Sequence, residues 1–338
     1  MKTIFVLSDI HLGSGLPSDW YKKDKHDTNL IKMIKDITKK GQNNEVDLVL
    51  AGDIFDTWLT PMNKKPNTIQ EILENNENIV KALSDCLKTT DIYYINGNHD
   101  MNVSAKDLDF IHFDDKKIKC IKEYRSGLVK IEHGHNYAMF NARDLINDPL
   151  HGLPTGYFIT RMLAGNRDYK SQEAYISYID DLLESAFTTQ TITSSLIEAV
   201  MEFTSHRPSD HFIMPYDRPS ITIKEVKEKY KNVFKQWVRK YGYWYSLNAI
   251  RAELGSLNWF ADRLSQKHDY KIVVMGHSHS SEIDKDGFKF FNNSSIYANA
   301  GHWTTSKPSY IKIIKDKGYK VSLYKKNKEG FKVKSHKI

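Results

Sequence analysis

Three short apolar runs in this chain each end in polar residues of one kind. Residues 3–7 lead into Ser8-Asp9-Ile10-His11, residues 46–51 into Gly52-Asp53-Ile54-Phe55-Asp56, and Asp91–Ile95 into Asn96-Gly97-Asn98-His99-Asp100. A near-continuous apolar run of this length, closed by turn residues, is the pattern of a strand buried on both faces. Helical spacing lies between the runs: Leu30, Met33, Ile34 and Ile37 first, then Ile69, Ile72, Leu73, Ile79, Val80 and Leu83. Strands alternating with helices in this way predict an α/β fold with a mixed or parallel sheet and its helices outside. Polar residues just past the carboxyl ends of such strands converge in one crevice. Asp9, Asp53 and Asn98 are therefore expected to be neighbours.

Two further runs repeat the design. Residues 129–132 lead into His133-Gly134-His135, and residues 271–275 into Gly276-His277-Ser278-His279. Between them the spacing predicts helices over 172–187, 196–203, 224–241 and 246–264, with a polar, proline-containing break at 206–219. Aromatic residues are frequent there: Trp237, Tyr241, Tyr243, Trp244, Tyr245, Trp259 and Phe260. They suit either a lid over a small ligand or, preferably, that segment's own hydrophobic core. Residues 288–291, 295–299, 309–314 and 320–324 then read as antiparallel strands, with turns at Asp286-Gly287 and Lys317-Gly318. The expected organisation is a core of residues 1–135 and 268–338, interrupted by a mainly helical insertion or cap at 136–267.

Charge and cysteine content narrow the classes. The net charge of +7 is uneven, because residues 304–338 carry 11 lysines against two acids. The rest of the chain is close to neutral, so global charge does not indicate a nucleic-acid partner, although one is left open. The lysine-rich end reads as a solvated edge. Cys86 and Cys120 form neither a ligand pair nor a disulfide framework, which points to a reducing, cytoplasmic setting. The opening MKTIFVLSDI reads as a strand, not as a signal peptide. No apolar run approaches the roughly 18 to 20 residues of a membrane span.

Every strand-like run ends in atoms that can bind metal. Asp9 and Asp53 offer carboxylates, Asn98 an amide oxygen, and His11, His133, His277 and His279 ring nitrogens. This mixture suits Mn, Fe or Zn and leaves no place for thiolate-selective ions. Seven donors exceed the need of one ion. Two ions about 3.5 to 4 Å apart would use them all, polarising a phosphoryl oxygen and acidifying a bridging water. Taken singly, each block also fits ordinary turn chemistry, as Asn-Gly-Asn does. A turn accounts for neither His99 nor Asp100.

In order along the chain, these five blocks resemble the motifs of the calcineurin-like metallophosphoesterases: D-x-H, G-D-x-x-D, G-N-H-D/E, an isolated H, and G-H-x-H. The resemblance covers residues 9–279 and implies a four-layer α/β/β/α sandwich of mixed sheets around two divalent or trivalent ions. It would assign Asp9, His11 and His279 to one ion and Asn98, His133 and His277 to the other, with Asp53 bridging. His99 would touch the phosphoryl group and protonate the leaving group, oriented by an acid such as Asp100. Asp56 would hold its turn or a ligating histidine.

The implied activity is hydrolysis of a phosphate ester by hydroxide bridging the ions, as a phosphatase or phosphodiesterase on a small molecule, nucleotide or phosphoprotein. A metal-dependent DNA nuclease is one alternative. A pyrophosphatase on a nucleotide-lipid is another, although the lipid-A precursor enzymes it would resemble carry arginine where this chain has His99. A non-catalytic metal-binding interaction module is the third. His135, Arg143, Arg161 and Arg167 are the expected substrate contacts.

Overall fold

The Lys2–Leu7 strand lies between Glu45–Ala51, which runs parallel to it, and Ser309–Lys315, which runs antiparallel. The structure, a computed structural model, describes residues 1–166, 177, 181, 191–253, 255, 257–285 and 295–338. Among these residues two large mixed sheets form. The first has seven strands in the order Gly330–Lys337, Tyr319–Asn327, Ser309–Lys315, Lys2–Leu7, Glu45–Ala51, Asp91–Ile95, Lys119–Cys120. The second has five, in the order Glu282–Lys285, Ile296–Asn299, Ile272–Met275, Val129–Ile131, Tyr124–Ser126.

Successive strand residues point to opposite faces, and the core divides accordingly. Ile4, Val6, Val49 and Ala51 of the first sheet share a buried cluster with Val129, Ile131, Ile272 and Val274 of the second. Their sequence neighbours Phe5, Leu7, Leu48 and Leu50 turn the other way. They pack with Leu30, Ile34 and Ile37 of the Lys23–Gly41 helix and with Ile79 and Leu83 of the Glu77–Leu87 helix. Val273 and Met275 likewise face away from the first sheet, onto helices from the 136–267 segment. A strand buried on both faces needs an apolar side chain at every position, which is why these runs lack alternation.

Within 136–267 the described helices are Thr155–Ala164, Ile192–Phe203, Ile223–Tyr230, Val233–Tyr241, Tyr243–Glu253 and Asn258–His268. The expected runs 224–241 and 246–264 are thus each divided. The first divides between Tyr230 and Val233, the second at Gly255, whose φ of 90° is a left-handed conformation that only glycine adopts without strain. Phe158, Phe212, Tyr230 and Phe260 enter one hydrophobic cluster, which Trp58, Met101, Val273 and Met275 join from outside the segment; Trp237, Tyr245 and Trp259 pack against it. Tyr241, Tyr243 and Trp244 are exposed.

In the C-terminal region Ile296–Asn299 pairs antiparallel with Glu282–Lys285 and parallel with Ile272–Met275. The lysine-rich end forms the outermost strand of the first sheet, Gly330–Lys337, paired with Tyr319–Asn327. Lysines on an edge strand discourage pairing with another chain. The expected helix at 172–187, apart from residues 177 and 181, lies outside the described residues, as do the strand at 288–291, the Asp286-Gly287 turn and Arg167. Among those described, no helix is long and apolar enough to cross a membrane.

Candidate metal centre

Because Lys2–Leu7, Glu45–Ala51 and Asp91–Ile95 are adjacent and parallel, their carboxyl ends bring Asp9, Asp53 and Asn98 together. The parallel pair Val129–Ile131 and Ile272–Met275 delivers His133, His277 and His279 from the second sheet. The loops then bind one another: Asp9 N–H donates to Gly52 O (3.0 Å) and His11 N–H to Asp53 O (2.9 Å).

Backbone strain is concentrated here. Asp9, His11, Asp53, His277 and His279 all have φ between 52° and 67°. Such conformations cost about 1 to 3 kcal/mol each and persist only where the surroundings impose them. Gly276 supplies room for the arrangement. A Cβ at that position would lie 2.5 Å from Asp9 Oδ2.

Two donor groups result. In the first, His279 Nε2 lies 3.0 Å from Asp9 Oδ1 and 3.1 Å from His11 Nε2, and His11 Nε2 lies 3.9 Å from Asp53 Oδ2. In the second, His133 Nε2 lies 3.2 Å from the same Asp53 Oδ2 and 3.3 Å from Asn98 Oδ1, with His277 Nδ1 3.0 Å from that amide oxygen. Asp53 belongs to both groups. Its other oxygen accepts the His99 N–H at 2.8 Å. The two histidines of the last block face different partners, although only Ser278 separates them.

The donor set could hold a cation. His133 Nδ1 donates to Ala51 O at 2.9 Å, so in the neutral ring Nε2 carries a lone pair facing two oxygens. Acceptors facing acceptors in a buried site require a proton or a metal ion between them. The titration of the cluster has the same cause. Burial opposes charge on His133, but the Asp53 and Asp9 carboxylates outweigh it and push its pKa up to about 9. Burial alone would raise the Asp53 carboxyl, yet the His133 and His99 imidazoles hold it well below the ordinary range. His277 is driven down to about 3 by burial and by the His133 charge, leaving its ring neutral and free to ligate. Carboxylate, amide oxygen and neutral imidazole together fit Mn, Fe or Zn.

His99 sits beside this set on Trp58, with ring centroids 4.6 Å apart and stacked. The acid at its ring is Asp56, whose Oδ2 lies 2.9 Å from His99 Nδ1 and accepts from His11 Nδ1 at 2.7 Å. Asp56 Oδ1 accepts the backbone N–H groups of Trp58 and Leu59. Asp100, expected to orient His99, instead accepts from the backbone N–H groups of Asp53, Ile54, Phe55 and Gly97. It ties two motif turns together, because its short side chain points back along its own turn. Burial lowers the His99 pKa, but the Asp56 and Asp53 carboxylates reverse this and raise it above the ordinary value.

The expected substrate contacts divide. His135 is buried 5.3 Å from His133, and its Nδ1 has no hydrogen-bond partner. Arg143 donates to Met101 O (2.5 Å), Asn102 Oδ1 (2.7 Å) and His151 O (3.0 Å), joining the chain after His99 to a loop of the 136–267 segment. Arg161 requires correction. It is fully buried and donates to the carbonyls of Thr60, Pro61, Met62, Lys64 and Ile213, which leaves nothing for a substrate.

Three residues at the site carry no sequence signal. His302 lies 5.6 Å from His279, Trp20 lies 4.9 Å from His11, and Asn141 accepts from the Asn98 amide at 3.2 Å. None sits in a block, and each arrives through long-range packing. Trp58 also lines a cavity of about 230 Å³ with Thr57, Asn67, Met101, Tyr157 and Tyr216.

Two opposed sheets carry aspartate, asparagine and histidine side chains at their common edge that could hold metal. The family model for calcineurin-like phosphoesterases matches residues 2–281, and the chain belongs to that family. Curated proteins give no match. Among solved structures, a double mutant of Vps29 from Entamoeba histolytica aligns at 10% identity with a TM-score of 0.37, covering 99% of each chain. Wild-type Vps29 from the same organism, complexed with zinc, aligns at 10% identity and a TM-score of 0.35, covering 99% of this chain and 98% of its own.

Proposed function

We propose that this chain hydrolyses a phosphate ester with two metal ions held by Asp9, His11, Asp53, Asn98, His133, His277 and His279. The observation that carries the reading is the sharing of Asp53 Oδ2 between two groups of buried donors. Bound ions supply Lewis acidity toward a phosphoryl oxygen and acidify water at neutral pH. The residues do the rest. Asp9, His11 and His279 hold one position, and Asn98, His133 and His277 hold the other. His99, kept protonated by Asp56, donates a proton to the departing oxygen. His135, buried beside His133, and Arg143, which ties the chain after His99 to the 136–267 segment, are the proposed substrate contacts.

Residues 136–267 form an inserted cap on a core of 1–135 and 268–338. The cavity beside Trp58, bounded by residues from both, is the proposed seat for the organic part of a small-molecule or nucleotide ester. Chelator-stripped protein is expected to be inactive on aryl phosphate and bis-aryl phosphodiester and to recover with Mn²⁺. Asn98→Ala or His277→Ala removes that recovery. Mn²⁺-loaded protein that hydrolyses neither ester nor any nucleotide would sink the enzyme reading in favour of a binding module.

A further inference from the structure

We propose that Asn141 and Glu253 are positioning residues that lock the Asn98 side-chain amide with its oxygen toward the second ion. The proposal rests on the two-ion reading and extends it to residues outside the motif blocks.

A carboxamide has two faces of similar shape and opposite hydrogen-bonding character. As placed, Asn98 Oδ1 lies 3.0 Å from His277 Nδ1 and 3.3 Å from His133 Nε2. Turned by half a revolution, its NH₂ group would donate to both ring nitrogens. That alternative satisfies every lone pair without a metal and fills the cation's place with amide hydrogens. An asparagine ligand therefore competes with itself, and something must set its orientation.

The structure contains a chain of contacts that does so. Asn98 Nδ2 donates to Asn141 Oδ1 at 3.2 Å. Asn141 Nδ2 donates in turn to Glu253 Oε2 at 2.5 Å, and Glu253 Oε1 accepts the backbone N–H of Phe140. An ionised carboxylate only accepts, so it fixes the Asn141 NH₂ toward itself. The Asn141 oxygen is left facing Asn98, whose amide is fixed by that contact. Such partners one contact removed from a metal commonly change metal affinity 10- to 100-fold.

Gly156 is independent support. It is the second residue of the Thr155–Ala164 helix and has no left-handed φ that would call for glycine. A Cβ there would lie 2.5 Å from Asn141 Oδ1 and 2.8 Å from Phe140 O. The glycine clears the space that Asn141 occupies.

The test is Mn²⁺ titration by calorimetry, at a pH where Glu253 is ionised, on the full chain and on Asn141→Asp, Glu253→Gln and the double variant. Glu253→Gln sets an NH₂ group against the Asn141 NH₂, and Asn141→Asp sets a carboxylate against Glu253. Glu253→Gln is expected to weaken one of the two Mn²⁺ sites at least about tenfold, whereas Asn141→Asp, which still presents an acceptor to the Asn98 amide, is expected to spare it. The double variant restores the pattern, because its introduced carboxylate accepts both from Asn98 and from the introduced glutamine amide. Affinity then returns to within about threefold of wild type. This sign of coupling is one that general loss of packing does not produce. Metal-free circular dichroism establishes that each variant is folded, and Gly156→Ala is a fourth variant expected to weaken the same site. Glu253→Gln protein that binds Mn²⁺ like wild type, or a double variant that binds it no better than Glu253→Gln, overturns the relay alone. A wild-type chain that takes up no Mn²⁺ overturns the relay together with the two-ion site.

Discussion

Asp56 Oδ2 lies 2.9 Å from His99 Nδ1, and the same oxygen accepts a 2.7 Å hydrogen bond from His11 Nδ1. One carboxylate thus orients a proposed metal ligand and charges the proposed general acid. Asp56→Asn is expected to lower turnover about 10- to 100-fold. The pH profile carries the sharper prediction. Burial lowers the His99 pKa, but Asp56 and Asp53 raise it above the ordinary 6.5, so activity that needs its proton persists below that raised value and is lost as pH climbs through it. Without the Asp56 charge, the alkaline limb moves to lower pH. A limb that stays in place in a pH–rate profile of the variant would show that His99 is not the acid.

Arg161 is predicted to matter for stability and not for catalysis. Its guanidinium is the donor for five backbone carbonyls, drawn from residues 60–64 and from Ile213. Arg161→Leu leaves them without that donor, at roughly 1 to 3 kcal/mol for each that stays buried and unpaired. Chemical denaturation should show a loss of about 3 kcal/mol or more. The KM of whatever folded protein remains should be unchanged; a raised KM with wild-type stability would return Arg161 to the substrate site.

The strand ends and the polar residues that follow them were legible because a two-face-buried strand leaves a continuous apolar run, and the turn after it shows its polar residues in sequence. Asp9, Asp53 and Asn98 could be placed side by side on that ground alone. The partner of His99 could not. Asp100 follows it in the same block and Asp56 stands in another, and side-chain direction within a turn, not sequence distance, decides between them. Asn141, Glu253 and His302 reach the site through long-range contacts that follow no period; Asn141 lies 43 residues from Asn98 and 112 from Glu253. The C-terminal strand was hidden for a different reason. Its lysines, placed on an exposed edge, leave no apolar pattern to read.

Glu253 gives the apo protein a pH dependence of its own. Burial raises its carboxyl from the usual 4.5 to about 7, against the opposing hydrogen bonds from Phe140 and Asn141. Because the folded-state pKa is the higher one, the stabilisation from its proton is complete below about 4.5 and disappears as pH rises through about 7. At roughly 1.4 kcal/mol per unit of difference, the contribution is on the order of 3 kcal/mol. Thermal melts of metal-free protein should fall across that interval, and Glu253→Gln should flatten this component. A wild-type melting temperature that rises monotonically across the same interval, with the variant parallel to it, would contradict the assignment.

The most direct test of the two-ion centre is metal content. Apo protein dialysed against Mn²⁺ and measured by inductively coupled plasma mass spectrometry should hold two ions per chain. Asp53→Ala, which removes the one carboxylate common to both donor groups, should hold fewer than one. A wild-type chain carrying one ion or none, or an Asp53→Ala chain that still carries two, would contradict the account.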